Sequence, residues 1–165
     1  MEKTVFLNGL PMHIKGFPTA GQEAPNFALT AADLSDVALH DFRGKRVVLN
    51  IFPSVDTDVC AASVRRFNKE ASEYPNTVVL CVSMDLPFAG ARFCAANGIE
   101  NVKTVSAFRS DFGNVYGIEL LDGPMRGLFA RGIVVIDENG IIKGESLCDQ
   151  ITEEPDYNFV KELLK

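Results

Sequence analysis

The chain has no tryptophan, two histidines and four cysteines in 165 residues, and no two of those cysteines form a C-x-x-C pair. A disulfide oxidoreductase of thioredoxin type needs that pair at the start of a helix, so its absence weakens that class. Positions 60, 81, 94 and 148 also lack the short C-x₂₋₄-C spacing of a structural zinc site. There is no G-x-S-x-G to support a serine hydrolase. Arg43-Gly44-Lys45-Arg46 lacks both the early glycine and the final Ser or Thr of a phosphate-binding loop. Basic side chains number 16 against 22 acidic ones, giving a net charge of −6. With no Lys/Arg stripe to override it, that sign disfavours nucleic acid and anionic membrane surfaces as partners. No apolar run approaches the roughly 18–20 residues of a membrane span. The opening Met1-Glu2-Lys3-Thr4-Val5-Phe6-Leu7 carries an acid at position 2, and its apolar stretch stops at Asn8-Gly9, unlike a signal peptide. The expected compartment is a reducing cytoplasm, where disulfides are rare and cysteines serve as buried fillers, metal ligands or reactive thiols.

Hydrophobic residues make up 47% of the chain and charged ones 23%, the balance of a soluble globular protein. One domain over 1–165 is expected, long enough to bury roughly 70% of its unfolded surface. Thr4–Leu7 and Leu10–Ile14 flank Asn8-Gly9 as a hairpin, with Pro11 marking an edge strand. Asn26–Thr30 and Asp36–Leu39 read as short paired strands, and Arg46–Phe52 as a central strand buried on both faces. From Cys60, apolar residues recur at Val64, Phe67 and Ala71, one face of a helix. Thr77–Met84 is a second buried strand. Asp85 as N-cap, Pro87 in the first turn and Gly98 as stop predict a helix from Leu86 to about Asn97. Val102–Val105 is a short strand and Ser110–Tyr116 a helical turn or two. Gly132–Asp137 and Ile141–Glu145 form a second hairpin, and Glu154–Leu163 a closing helix. This order predicts an α/β, thioredoxin-like fold with an N-terminal β-hairpin extension.

Phe52-Pro53-Ser54-Val55-Asp56-Thr57-Asp58-Val59-Cys60 lies between the carboxyl end of a central strand and a helix, where open α/β sheets place ligands. Unpaired N–H groups in a first helical turn favour thiolate over thiol, which makes a cysteine there a nucleophile. Cys60 also begins the apolar face of its own helix, and a buried structural role fits it too. The segment resembles the peroxidatic loop of peroxiredoxins, Pro-x-x-x-Thr-x-x-Cys. Asn50-Ile51-Phe52-Pro53-Ser54-Val55-Asp56-Thr57, Val59-Cys60-Ala61-Ala62-Ser63-Val64-Arg65, Asp85-Leu86-Pro87-Phe88-Ala89, Arg92-Phe93-Cys94 and Pro155-Asp156-Tyr157 are similar to the bacterial thiol peroxidase branch, the atypical two-cysteine peroxiredoxins. The likeness runs from Asn8-Gly9 to the last helix.

The resemblance implies a role for each matching residue. Cys60 stands at the peroxidatic position and Cys94 at the resolving one. Thr57 matches the threonine that contacts thiolate and peroxide, Pro53 the proline that shields the thiolate, and Arg131 the arginine that completes the site. It further implies a hydroperoxide substrate, an intramolecular disulfide, a thioredoxin-type reductant and a homodimer, with no cofactor and no metal on the protein. Thiolate attack on an O–O bond moves negative charge to the departing oxygen, which a fixed guanidinium and a hydroxyl stabilise. The histidines, His13 and His40, fall in or near strands and are not needed.

Cys60 and Cys94 are expected on the starts of two helices separated by a strand, too far apart to bond until a helix end unwinds. Cys81 reads as core and Cys148 as a passive thiol. Phe88 and Phe93 fit either the core or, by the resemblance, a substrate pocket or dimer seam. Asp58 puts a carboxylate in the loop where relatives often have a small residue. Arg131 fits an ion-pair role as well as a catalytic one. A thiol-based sensor or holdase on the same fold would share the oxidation of Cys60 and differ only in turnover.

Overall fold

A computed structural model describes residues 2–165. Nine strands occur in the order β1 (Lys3–Leu7), β2 (Leu10–Ile14), β3 (Ala28–Ala31), β4 (Asp36–Ala38), β5 (Arg46–Ile51), β6 (Thr77–Ser83), β7 (Lys103–Ser106), β8 (Gly132–Ile136) and β9 (Ile142–Leu147). Helix α1 (Asp58–Glu70) joins β5 to β6, α2 (Pro87–Asn97) joins β6 to β7, the single turn α3 (Phe112–Val115) follows β7, and α4 (Tyr157–Leu163) ends the chain. Seven strands form one sheet in the order β4-β3-β7-β6-β5-β8-β9, and β1-β2 pair separately. The β5-β6-β7 run is parallel, while β8 lies antiparallel to β5 on the other side. The expected thioredoxin-like order and the N-terminal hairpin are both present.

Alternation along the strands builds a core on each face of the sheet. Val47, Leu49 and Ile51 of β5 join Leu80, Val82, Val134 and Ile136 on one face. Val48 and Phe52 join Val79, Cys81, Ile133 and Val135 on the other, together with Cys60, Val64 and Phe67 of α1. This period of two, on strands covered from both sides, is why β5 and β6 read as near-continuous apolar runs. The hairpin turns through Asn8 and Gly9 at φ 48° and 86° and drops Val5, Met12 and Ile14 into the first core. Phe6 donates to the Asp149 carbonyl and accepts from Ile151 N–H, at 2.7 and 2.9 Å, which ties the extension to the chain beyond β9.

Some boundaries differ from expectation for local reasons. The last helix begins at Tyr157 rather than Glu154. Pro155 disfavours helical backbone before it, and the Asp156 side chain takes the N-cap, accepting from Phe159 N–H. The expected N-cap at Asp85 is not made: Leu86 occupies that position and no side chain caps α2. No helix among the described residues is long and apolar enough to cross a membrane.

Two glycines isolate the cost of one close approach. Gly98, at the end of α2, and Gly117 share φ values of 63° and 67°. A Cβ at Gly98 would meet nothing within 4 Å, whereas at Gly117 it would land on the Gly16 carbonyl. Gly16 N–H also donates to the Gly117 carbonyl at 2.9 Å. Gly98→Ala should therefore cost about 1 kcal/mol, the left-handed backbone penalty alone. Gly117→Ala should exceed that by at least about 2 kcal/mol. Urea unfolding midpoints check the difference, and equal midpoints would contradict the packing at Gly16.

Candidate active site

Parallel β5 and antiparallel β8 bring two chain segments together. Ile51 pairs with Gly132, so the loop leaving β5 starts beside Arg131 as it enters β8. Phe52 and Pro53 are buried at the exit of the strand, and the chain turns through Ser54–Thr57 into α1. Thr57 is the extended N-cap of α1, and its carbonyl accepts from Ala61 N–H at 2.9 Å. The Thr57 hydroxyl caps nothing. It donates to the Ser54 carbonyl at 3.1 Å, and Thr57 N–H meets the same oxygen at 3.2 Å.

Cys60 is the third residue of α1 and is fully buried. Its sulfur accepts from Arg131 Nη2 at 3.1 Å. Arg131 is itself 1% exposed, and its Nε donates to the Ile151 carbonyl at 2.9 Å. Its Nη1 has no partner among the described residues. A buried guanidinium without a counter-charge is costly. No carboxylate pairs with Arg131 among the described residues, and the Cys60 sulfur is the side-chain atom its guanidinium meets. Under Cys60, Ser63 Oγ donates to the Cys60 carbonyl at 2.8 Å and accepts from Asn50 Nδ2 at 3.2 Å, a buried polar link between α1 and β5.

Cys60, Thr57 and Arg131 are thus gathered at the end of β5, with Pro53 buried in the same loop. Cys94 is not with them. Both cysteines are free thiols, and Cys94 Sγ lies 3.5 Å from Thr104 Oγ1 on β7. Contrary to the expectation that both cysteines open their helices, Cys94 is in the last turns of α2, because that helix starts at Pro87. Its carbonyl accepts the N–H groups of Gly98 and Ile99 that close the helix. Cys94 also lines an open groove of about 500 Å³ with Asp33, Asp36, Lys103 and Thr104. Phe93 packs against the Cys60 core, while Phe88 is 65% exposed and does not join it.

Asp85 has a place that the sequence reading missed. Its carboxylate accepts from Ser54 Oγ at 2.7 Å, Val55 N–H at 2.8 Å and Ser83 Oγ at 2.9 Å. The available signal was topological. Parallel neighbours set the loops after β5 and β6 side by side, so a carboxylate just past β6 can reach the loop after β5. Asp58 is exposed in the first turn of α1. His13 pairs with Asp122 at 2.6 Å, and His40 sits in a 3₁₀ turn after β4.

The family model described as Redoxin matches residues 19–161. The chain is 51% identical over 158 residues to a thiol peroxidase of Corynebacterium glutamicum, covering 96% of each chain. Its fold is similar to a peroxiredoxin-like protein from Aquifex aeolicus at a TM-score of 0.91, with 36% identity and coverage of 97% of this chain and 96% of that one. A thiol peroxidase from Chromobacterium violaceum, 23% identical, shares the fold at a TM-score of 0.87 over 98% and 94% of the two chains.

Cys81 lies in the core on β6, and Cys148 is half-buried just past β9. Burial pushes the Cys81 thiol up to about 12 and the Cys148 thiol up to about 11. At pH 8 the thiolate fraction of Cys148 is then on the order of one in a thousand, and that of Cys81 tenfold lower. Iodoacetamide on the folded, reduced protein should leave both unmodified under conditions that alkylate them in urea. Raising the pH towards 10 should label Cys148 before Cys81. Peptide mapping reads the order, and native-state labelling as fast as in urea would contradict it.

Proposed function

This chain belongs to the redoxin family and is a peroxiredoxin-type thiol peroxidase, and we propose that it reduces hydrogen peroxide and alkyl hydroperoxides through Cys60, with Cys94 resolving and a thioredoxin-type dithiol recycling it. The observation that carries the assignment is the 3.1 Å contact from the buried Arg131 guanidinium to Cys60 Sγ.

In the first step the Cys60 thiolate attacks the distal oxygen of ROOH. The S–O bond forms as the O–O bond breaks, the electron pair leaves on RO⁻, and that oxygen takes up a proton as water or alcohol. Arg131 Nη1, buried and unpartnered, is available to donate to an oxygen of the bound peroxide. The Thr57 hydroxyl gives its hydrogen to the Ser54 carbonyl, which leaves its oxygen free to accept from the peroxide O–H. Pro53, buried beside them, keeps water from the sulfur. Catalysis rests on fixed dipoles and one fixed charge, and no histidine takes part.

In the second step the Cys94 thiol attacks the Cys60 sulfenic acid and forms a disulfide with loss of water. In the reduced protein Cys94 Sγ faces Thr104 and Cys60 Sγ faces Arg131, so the bond requires local unwinding. A dithiol reductant then returns both thiols, which suits a reducing cytoplasm. The whole chain, 1–165, acts as one domain. Leu86, Phe88 and Phe108 are 53%, 65% and 39% exposed around the entry to α2, and such apolar exposure beside the loop supports a homodimer.

One equivalent of an organic hydroperoxide should convert the reduced protein to a Cys60–Cys94 disulfide, seen by intact mass and peptide mapping. Cys94→Ser should stop at the Cys60 sulfenic acid and then over-oxidise with excess peroxide. Cys60→Ser should have no turnover. Unmodified Cys60 in the wild type, or a Cys94→Ser variant that cycles normally with thioredoxin, would overturn the corresponding role.

A further inference from the structure

We propose that Asp85 is a positioning residue for the peroxide step, acting through Ser54 to set the direction in which the Thr57 hydroxyl points. This rests on the reading of Cys60 as the attacking sulfur. A carboxylate is an acceptor only, and Asp85 is surrounded by three donors: Ser54 Oγ, Val55 N–H and Ser83 Oγ. It is held in turn by its own backbone. Its N–H donates to Ser83 Oγ at 3.2 Å, and its carbonyl accepts from Ser106 Oγ at 2.5 Å. The carboxylate is therefore fixed to the ends of β6 and β7, and it fixes the loop that leaves β5.

From Ser54 the chain of bonds runs to the reacting group. Ser54 Oγ, oriented by giving its hydrogen to Asp85, accepts from Asp56 N–H at 3.1 Å. The Ser54 carbonyl holds both the N–H and the hydroxyl of Thr57. With that carbonyl in place, Thr57 presents an acceptor oxygen to the peroxide O–H. If Asp85 no longer holds residues 54 and 55, the carbonyl is free to turn and the Thr57 hydrogen is no longer held away from the side that receives the peroxide. The contact of Arg131 with Cys60 does not pass through this chain, because it is set by Ile151 and β8. Asp85 therefore governs how the peroxide is received rather than the charge on the sulfur. Small displacements of this kind can cost up to about a hundredfold in rate.

The test uses the full chain carrying Cys94→Ser, so that only the first oxidation is read. Stopped-flow mixing with hydrogen peroxide, quenched with a sulfenic-acid trap, gives the rate of Cys60 oxidation. Asp85→Ala should slow it by roughly 10- to 100-fold and Ser54→Ala by about tenfold. The double variant should lose no more than Asp85→Ala alone, since both act on one path. The ultraviolet thiolate titration of Cys60 should match the parent in every variant, a split that general damage to the site would not produce. Oxidation at the parent's rate in these variants would overturn the proposal, as would a titration that moves in step with the rate. Should Asp85→Ala fail to fold, Ser54→Ala decides, because it removes one half-buried hydroxyl and leaves the carboxylate and its other two donors in place. A parent that does not react with peroxide at all would instead sink the Cys60 assignment itself.

Discussion

A guanidinium with almost no solvent contact organises this molecule. Taking a charge out of water costs several kcal/mol unless an opposite charge and good hydrogen bonds replace the lost hydration. Arg131 has the Ile151 carbonyl on one side and the Cys60 sulfur on another. Each of these groups has to be delivered by a different part of the chain. Cys60 comes from α1, Arg131 from the entry to β8, and Ile151 from the segment after β9. Ile151 in turn is held by Phe6 of the N-terminal hairpin, through its N–H to the Phe6 carbonyl. The hairpin, which lies outside the main sheet, thereby supports the cation at the site. Its loss would be felt at Cys60 through one carbonyl rather than through the bulk of the core.

The two helices that carry Cys60 and Cys94 are anchored very differently. In α1 the residues Cys60, Ala61, Ser63, Val64, Phe67 and Glu70 are buried. The Glu70 carboxyl is held in its charged form: burial opposes this, and bonds from Arg66, Lys161 and Tyr74 outweigh it. In α2 only Pro87 and Gly90 are buried, and Cys94 is half-buried in the last turns. Helix stability in proteins comes mainly from packing of an apolar face, and α2 has little of it. Of the two elements that the proposed disulfide step would bring together, α2 has the fewer buried contacts to break and opens at the lower free-energy cost. The Arg92–Asp56 pair that ties it to the loop is exposed at both ends and contributes little.

Much of this was readable from residues. Near-continuous apolar runs mark β5 and β6, Asn8-Gly9 marks the hairpin, and the position after β5 makes Cys60 a candidate nucleophile as well as a candidate core residue. The resemblance supplied Arg131, because nothing in Leu128-Phe129-Ala130-Arg131 itself says which anion the side chain will meet. That answer depends on the antiparallel pairing of β8 with β5, a contact between residues 71 positions apart in the case of Cys60. Cys94 departs from the expected helix start for a simpler reason: α2 begins at Pro87, so the cysteine falls seven residues later. Of the two places open to Phe88, the core and an apolar pocket or seam, its 65% exposure beside Leu86 excludes the core.

Asp85 shows why local rules failed where function is concentrated. An acidic residue immediately before a helix expected to start at Leu86 fits an N-cap, and capping would have contributed about 1 kcal/mol to α2. Ser54 and Val55 compete for the same carboxylate, and they lie close only because β5 and β6 run parallel. In the folded protein the loop wins, and α2 is left with Leu86 at its N-cap and no side chain on its free N–H groups. One choice of partner therefore has two consequences of opposite sign. The loop around Thr57 is made rigid, which suits a step whose rate depends on fixed dipoles. The helix that carries Cys94 is left without a side-chain cap, which suits the unwinding that the proposed disulfide step would need. A sequence optimised for helix stability would cap α2 with Asp85 and release the loop, stabilising the helix that the proposed disulfide step would open at the expense of the loop that holds Thr57.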